Sequence, residues 1–219
     1  MDAHAVHEYW ESMTHREKLF FVTSNGNAAT FAYDRLLLHL AAARTQMARI
    51  GTAIAASKAT LPEPTPGSTQ EEIRAYVRDG SRRMWPVFAE VHFYFVCWSG
   101  CRNMLQILVG QPEFLKAKKV YDCYKKEFEH NVAGRNSFEH FHDRLPGQSE
   151  ERRVKEVQSG PGDSPHRIYA GFSEGKYIHS NLEWNISQES LEKLEKYVSE
   201  ILSIVHREID EQLKRTGIA

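Results

Sequence analysis

The chemistry of this chain concentrates in one run, Gly134-Arg135-Asn136-Ser137-Phe138-Glu139-His140-Phe141-His142-Asp143-Arg144. On a helix turning about 100° per residue, Phe138, Phe141 and Leu145 gather as an apolar stripe. Arg135, Asn136, Glu139, His140, His142 and Asp143 spread over the opposite arc. Asn136 and His140 share a face, and so do Arg135 and His142. An imidazole with an ordinary pKa of about 6.5 accepts a proton from a hydroxyl near neutral pH. A planar guanidinium holds a phosphate through parallel donors and stabilises its developing charge. Together they suit cleavage of an RNA phosphodiester without a metal. His140 is then the base or acid, Arg135 the phosphate clamp and Asn136 the positioning group, with Glu139, His142 and Asp143 as helpers. The same spacing also allows a plainer arrangement, in which Arg135 and Glu139 form an i,i+4 ion pair and the histidines are simply solvated.

The elements that must position these groups read as helices. A short helix is expected over 4–22, ended by Thr23-Ser24-Asn25-Gly26-Asn27. A longer one runs from Thr30 to Lys58, with Leu36, Leu37, Leu40, Met47, Ile50 and Ile54 on its buried side. Pro62, Pro64 and Pro66 stop it. Ser68 then opens the next helix, with Glu71 completing a capping box. Pro86 suits the first turn of a fresh helix, so a break is expected near Trp85-Pro86. Beyond it, Phe88, Val91, Phe95, Trp98, Leu105 and Val109 repeat at gaps of three and four. Arg102 stands in their stripe, where a carboxylate partner at a helix seam is expected. Gly110-Gln111-Pro112 ends this segment, and another helix reaches about Asn131. The motif helix is expected to be separate, from Arg135 to about Leu145, closed by Pro146-Gly147. Arg135 and Asn136 would then lie in its first turn, where free backbone N–H groups attract phosphate.

After a charged stretch ending in Ser159-Gly160-Pro161-Gly162-Asp163, the period changes to two. Ile168, Ala170 and Phe172 alternate with polar neighbours, Glu174-Gly175 makes a turn, and Tyr177 to His179 returns. Leu182, Trp184 and Ile186 form a third strand. Ser187 caps a last helix with a stripe of Leu191, Leu194, Val198, Ile201, Val205 and Ile209. The expected fold is mainly α, a helical bundle in a single domain over 1–219, with a loop and antiparallel β insertion over 147–186 (strands at about 166–186).

The spacing Arg135-Asn136, three residues, His140 resembles the signature of HEPN domains, helical proteins that include metal-independent ribonucleases. The wider text Arg-Asn-x-x-Glu-His-Phe-x-x-Arg-Leu, the Gly171-Phe172 hairpin and the Trp184-x-Ile186-Ser187 lead-in resemble a group of uncharacterised bacterial HEPN-like proteins. The resemblance covers the latter half of the chain, and the first half only by helicity. It implies a HEPN-like helical fold and Arg135, Asn136 and His140 as catalytic residues. It also implies a homodimer in which two motifs meet, RNA as substrate, and a toxin or defence role with an antitoxin or regulatory protein as partner. Its alternative is a member that has lost catalysis and serves as a binding or dimerisation module.

Composition narrows the rest. Net charge is −1, so the chain does not coat nucleic acid non-specifically, and only a local phosphate site fits. Cys97, Cys101 and Cys123 lack metal-ligand spacing and read as free thiols of a reducing compartment. Glu139-x-x-His142 matches half of a di-iron carboxylate motif but finds no second half. No metal or cofactor is therefore expected. The basic run Lys116, Lys118, Lys119, Lys125, Lys126 is diluted by acids and reads as a solvated face. His130, His166 and His179 can join a site only through the fold. The greasiest stretch, Val87 to Val109, is broken by Glu90, His92, Arg102, Asn103 and Gln106, which argues against a membrane span. A cytoplasmic protein is expected.

Overall fold

A computed structural model describes residues 9–58, 64–139, 171–173, 175–179 and 182–215. The chain is a mainly helical bundle with a small antiparallel sheet ahead of its last helix. Its elements are α1 (His15–Val22), α2 (Gly26–Ser57), α3 (Gln70–Val109), α4 (Leu115–Glu139), β1 (Gly171–Ser173), β2 (Lys176–His179), β3 (Leu182–Asn185) and α5 (Gln188–Arg215). The fold divides into two compact units. The first comprises Met1–Arg44, Val96–Glu129 and Leu191–Ala219, and the second Thr45–Phe95 and His130–Ser190.

In the first unit, residues 9–12 form a helical turn and Thr14 caps α1, so the single helix expected over 4–22 is interrupted. Thr14 and Glu17 exchange side-chain and backbone hydrogen bonds as a capping box. Along α2, Ala29, Ala32, Leu36, Leu40 and Ala43 are buried, while Leu37 is 42% exposed. Three alanines hold stripe positions that a search for large residues assigns to Leu37 instead. Leu194, Val198, Ile201, Val205 and Ile209 of α5 all face the core, as their spacing predicts. Glu208, only 5% exposed, is a charged residue buried in that core, as is Lys18 at 8%. Its two carboxylate oxygens accept from the backbone N–H groups of Lys116 and Ala117, each at 2.9 Å. A buried carboxylate is thereby satisfied by the positive end of α4.

Arg102 donates to Asn103 at 3.2 Å and lies beside Tyr121. Among the described residues no carboxylate pairs with it, in contrast to the sequence expectation. Burial pushes the Cys97 thiol up to about 11 and Cys101 higher still, while Cys123 is exposed.

The second unit holds the first part of α3, the end of α4 and the sheet. Thr69 and Glu72 form the capping box of α3, one residue later than expected. Ser68 instead accepts from Thr65 N–H. The helix continues through Pro86 without the expected break. Pro86 and Arg82 are exposed, so the carbonyl that loses its partner can bond water. Val87, Val91 and Phe95 are meanwhile buried on the far side and hold the helix in place.

The sheet is a meander in the order β1-β2-β3, all antiparallel. Gly175, at φ 76°, makes the first turn. Phe172 pairs with Tyr177, and Tyr177 with Trp184, so three aromatic residues line up across one face. Tyr177, Trp184 and Ile186 are buried, but Leu182 is 51% exposed. No described helix is long and apolar enough to cross a membrane.

Candidate functional site

The end of α4 decides where the motif lies. The helix runs unbroken from Leu115 to Glu139, so the expected separate motif helix does not form within the described residues. Gly134 does not break it. A Cβ there would stand 3.1 Å from the Phe95 ring and 3.1 Å from the Trp184 indole nitrogen. A side chain at this position would press on two aromatic rings, which would have to give by a few tenths of an ångström.

Arg135 lies about 30 Å along the helix from its start. Its backbone N–H therefore belongs to the helical ladder. The free donors of α4 are at Lys116 and Ala117, where Glu208 already occupies them. The expectation that the backbone around Arg135 and Asn136 attracts phosphate is thus corrected. Any anion binding here must come from side chains.

Those side chains form a compact group. Arg135 Nε donates to Glu139 Oε1 at 2.8 Å, the i,i+4 pair that the sequence allowed. The same carboxylate oxygen lies 3.8 Å from Nε2 of His92, which comes from α3. That separation is electrostatic rather than a hydrogen bond. Each of the three side chains is about a third exposed (35% for Arg135, 33% for Glu139, 32% for His92), so solvent or a ligand can reach Arg135 and Glu139, but Nε2 of His92 is itself buried and has no hydrogen-bond partner among the described residues. Among the described residues neither Nη group of Arg135 has a partner, which leaves the two ends of the guanidinium fork for an incoming anion. Asn136 is exposed beside them. His140, His142 and Asp143 lie outside the described residues, as does His166.

Aromatic packing fixes this group. The His92 ring lies between Phe93 (5.8 Å, 28°) and Phe138 (5.6 Å, 24°). Phe138 stacks on Tyr177 at 4.4 Å, Tyr177 on Trp184 at 5.5 Å, and Trp184 on His130 at 5.6 Å. A column of near-parallel rings thus links α3, α4, β2 and β3. Its far end is closed by hydrogen bonds: Trp184 Nε1 donates to the His130 carbonyl at 2.7 Å, and His130 Nε2 lies 2.9 Å from the Glu183 carbonyl. Phe138 therefore anchors the motif, as its place on the apolar stripe predicts.

Ser137 and His179 share a hydrogen bond of 2.5 Å between Oγ and Nδ1. Both are buried, at 2% and 6% exposure, so the pair pins β2 to α4 out of reach of solvent. His130 and His179 join this unit through the fold. His92 is the group that sequence reasoning missed. Its signal was present: it is four residues after Phe88 and three before Phe95, on the edge of an apolar stripe where a histidine needs a polar partner.

A second polar cluster sits in the first unit. The His15 and His206 rings stack at 4.0 Å and 6°. His15 Nε2 is 3.5 Å and Lys18 Nζ 3.8 Å from Asp210, and Tyr33 Oη is 3.2 Å from His206 Nε2. Burial, reinforced by His15 and opposed by Asp210, pushes His206 down to about 4. Burial also raises the Tyr33 hydroxyl. Among the described residues, no group of three His, Cys, Asp or Glu side chains could hold a metal ion.

The chain matches no protein-family model, no curated protein and no solved structure.

Proposed function

We propose that the chain is a metal-independent endoribonuclease with a HEPN-like helical fold. The observation that carries this reading is the group of Arg135, Glu139 and His92, each about a third exposed, with two guanidinium nitrogens that have no partner among the described residues, Asn136 exposed next to Arg135 in sequence and His140 following Glu139. In the reaction, His140 removes the proton from a ribose 2′-hydroxyl. The 2′-oxygen attacks the adjacent phosphorus, the bond from phosphorus to the 5′-oxygen breaks, and the leaving oxygen takes up a proton. The products are a 2′,3′-cyclic phosphate and a 5′-hydroxyl. Arg135 holds the non-bridging oxygens as charge builds on them. Asn136 orients the phosphate or the base. Glu139 keeps the guanidinium in one rotamer until RNA arrives, and His142 and Asp143 assist. The proposed setting is the cytoplasm, in a homodimer held in check by an antitoxin or regulatory protein.

The engagement of Arg135 by Glu139 favours a second reading, in which the motif is a silent binding or dimerisation module. Incubating wild type, His140→Ala and Arg135→Ala with mixed RNA in chelator separates the two. The nuclease reading expects cyclic-phosphate ends from wild type and their loss in both variants. Uncut RNA at any protein excess, with intact dimers, overturns the nuclease reading and favours the module.

A further inference from the structure

We propose that the outward face of α3, from Arg74 to Phe93, docks a single strand of RNA and leads it to Arg135. The choice of RNA rests on the ribonuclease reading; the surface itself stands on separate observations.

At about 100° per residue, Arg74, Arg78, Arg82, Trp85, His92 and Phe93 all fall within about 100° of arc. That arc lies opposite the buried residues Val87, Val91, Tyr94 and Phe95. The three arginines are exposed, and among the described residues none pairs with a carboxylate. The acids of this segment are largely spent elsewhere. Glu72 caps the helix, and Asp79 binds Arg83 at 3.1 Å on another side. Only Glu71 shares the face, at its head. Trp85 is 70% exposed and Phe93 52%. They stand about 12 Å apart along the axis, a spacing that admits bases stacking on each. His92 lies on the same face, its Nε2 3.8 Å from the Glu139 oxygen that Arg135 also bonds.

Charge decides between a nucleic acid and a second copy of the chain. A symmetric interface through this face would bury three guanidiniums of each copy against a face with Glu71 as its one carboxylate, which is costly, and interface centres are depleted of such charge. A phosphodiester strand supplies one anion per nucleotide and a π-face per base. The helix thus carries a row of cations, then two ring platforms, then the candidate site.

The probe is a fluorescein-labelled, mixed-sequence RNA of about twelve nucleotides, long enough for a typical single-strand site. It is 2′-O-methylated throughout, so that it cannot be cut. Binding is followed by anisotropy across a salt series in chelator. The triple variant Arg74→Gln, Arg78→Gln, Arg82→Gln is expected to lose about tenfold or more in affinity. Its slope of log affinity against log salt should be about two units shallower. Trp85→Ala is expected to weaken binding about 5- to 100-fold with the slope unchanged. All four side chains are exposed, and circular dichroism checks that the helix persists. Unchanged affinity and slope in the triple variant overturn the proposal. So does a protein dimer that Trp85→Ala dissociates while RNA binding persists, since the face is then an interface between copies. An unmodified strand separates this failure from that of the nuclease. If the blocked RNA binds through this face and the unmodified strand stays intact, the nuclease reading falls and the dock stands. If wild type cuts RNA and every variant binds equally, only the dock falls.

Discussion

Arg135, Glu139 and His92 in the second unit, and Lys18, Asp210, His15 and His206 in the first, are each built from a cation, a carboxylate and imidazole. In the second unit the carboxylate lies between its partners, and all three groups remain about a third exposed. Among the described residues the Nη groups of Arg135 are left over, and water or phosphate can reach that side chain, while Nε2 of His92 is buried. In the first unit one imidazole is stacked on another, bonded to Tyr33 and desolvated until its pKa falls to about 4. That imidazole stays neutral at physiological pH and serves as a packed ring with one hydrogen bond. The same side-chain types thus leave an accessible guanidinium in one cluster and a neutral, packed imidazole in the other. Neither the chemical types nor the exposure of the carboxylate separates the two cases, since His15 and Asp210 are 38% and 46% exposed; the desolvation of His206 and the leftover donors of Arg135 do.

Removing the cation breaks the comparison most sharply. Arg135→Ala is expected to lower RNA cleavage by about 10²–10³-fold, the usual cost of removing a donor aimed at developing charge. Arg135→Lys should recover only part of this, since a point charge replaces a planar fork. His206→Phe, in the other cluster, should leave the cleavage rate within error. Single-turnover assays in chelator measure all three. Equal losses in both clusters would end the distinction.

A change beneath the site tests how it is positioned. Gly134→Val pushes branched carbon toward the Phe95 ring and the Trp184 indole, where even a Cβ stands at 3.1 Å. Overpacking of this kind costs about 1–3 kcal/mol, and a β-branched residue in place of glycine recovers only a few tenths through helix propensity. Urea denaturation should show the loss, with cleavage reduced because Arg135 is one residue away.

These positions also mark what was legible in the sequence. The stripe of α5, the turn at Gly175 and the alternation through Phe172, Tyr177 and Trp184 were readable because local period and turn chemistry agree with the fold. The continuity of α3 and α4 was not. Pro86 and Gly134 are helix breakers by local rule, and both are overridden by packing: one helix is held by its buried far side, the other runs close against the Phe95 and Trp184 rings, where a small residue fits. Within the site, Arg135, Asn136 and Glu139 were found by spacing, since they share one helix. His92 is forty-three residues before Arg135, so only tertiary packing reveals that one carboxylate serves both.

The buried imidazole makes a smaller prediction with a definite sign. Burial holds the folded pKa of His206 at about 4, against an ordinary value of 6.5. Between these values the unfolded chain holds the proton and the folded chain does not. Stability is therefore intact above pH 6.5 and is lost progressively as pH falls from 6.5 toward 4. The side chain is partly exposed, so the cost is discounted to about 1 kcal/mol rather than the full value of the shift. Urea titrations at a series of pH values should show a shallower acid slope for His206→Phe than for wild type over that window. Parallel slopes would mean that the imidazole is charged in the folded protein, and that the first cluster is not desolvated.

The last test concerns an ion pair with better geometry than the one at the site. Arg16 and Asp34 join through two hydrogen bonds of 2.6 Å, shorter than the 2.8 Å bond of Arg135 to Glu139. Both side chains are about half exposed, at 51% and 45%. Water competes for each group, and holding two long side chains together costs rotamer freedom. Arg16→Ala is therefore expected to leave the denaturation midpoint unchanged within error and to leave cleavage unaffected. Short distances alone confer neither stability nor activity here. A clear destabilisation by Arg16→Ala would show that geometry outweighs exposure, and would remove the ground on which the two histidine clusters were told apart.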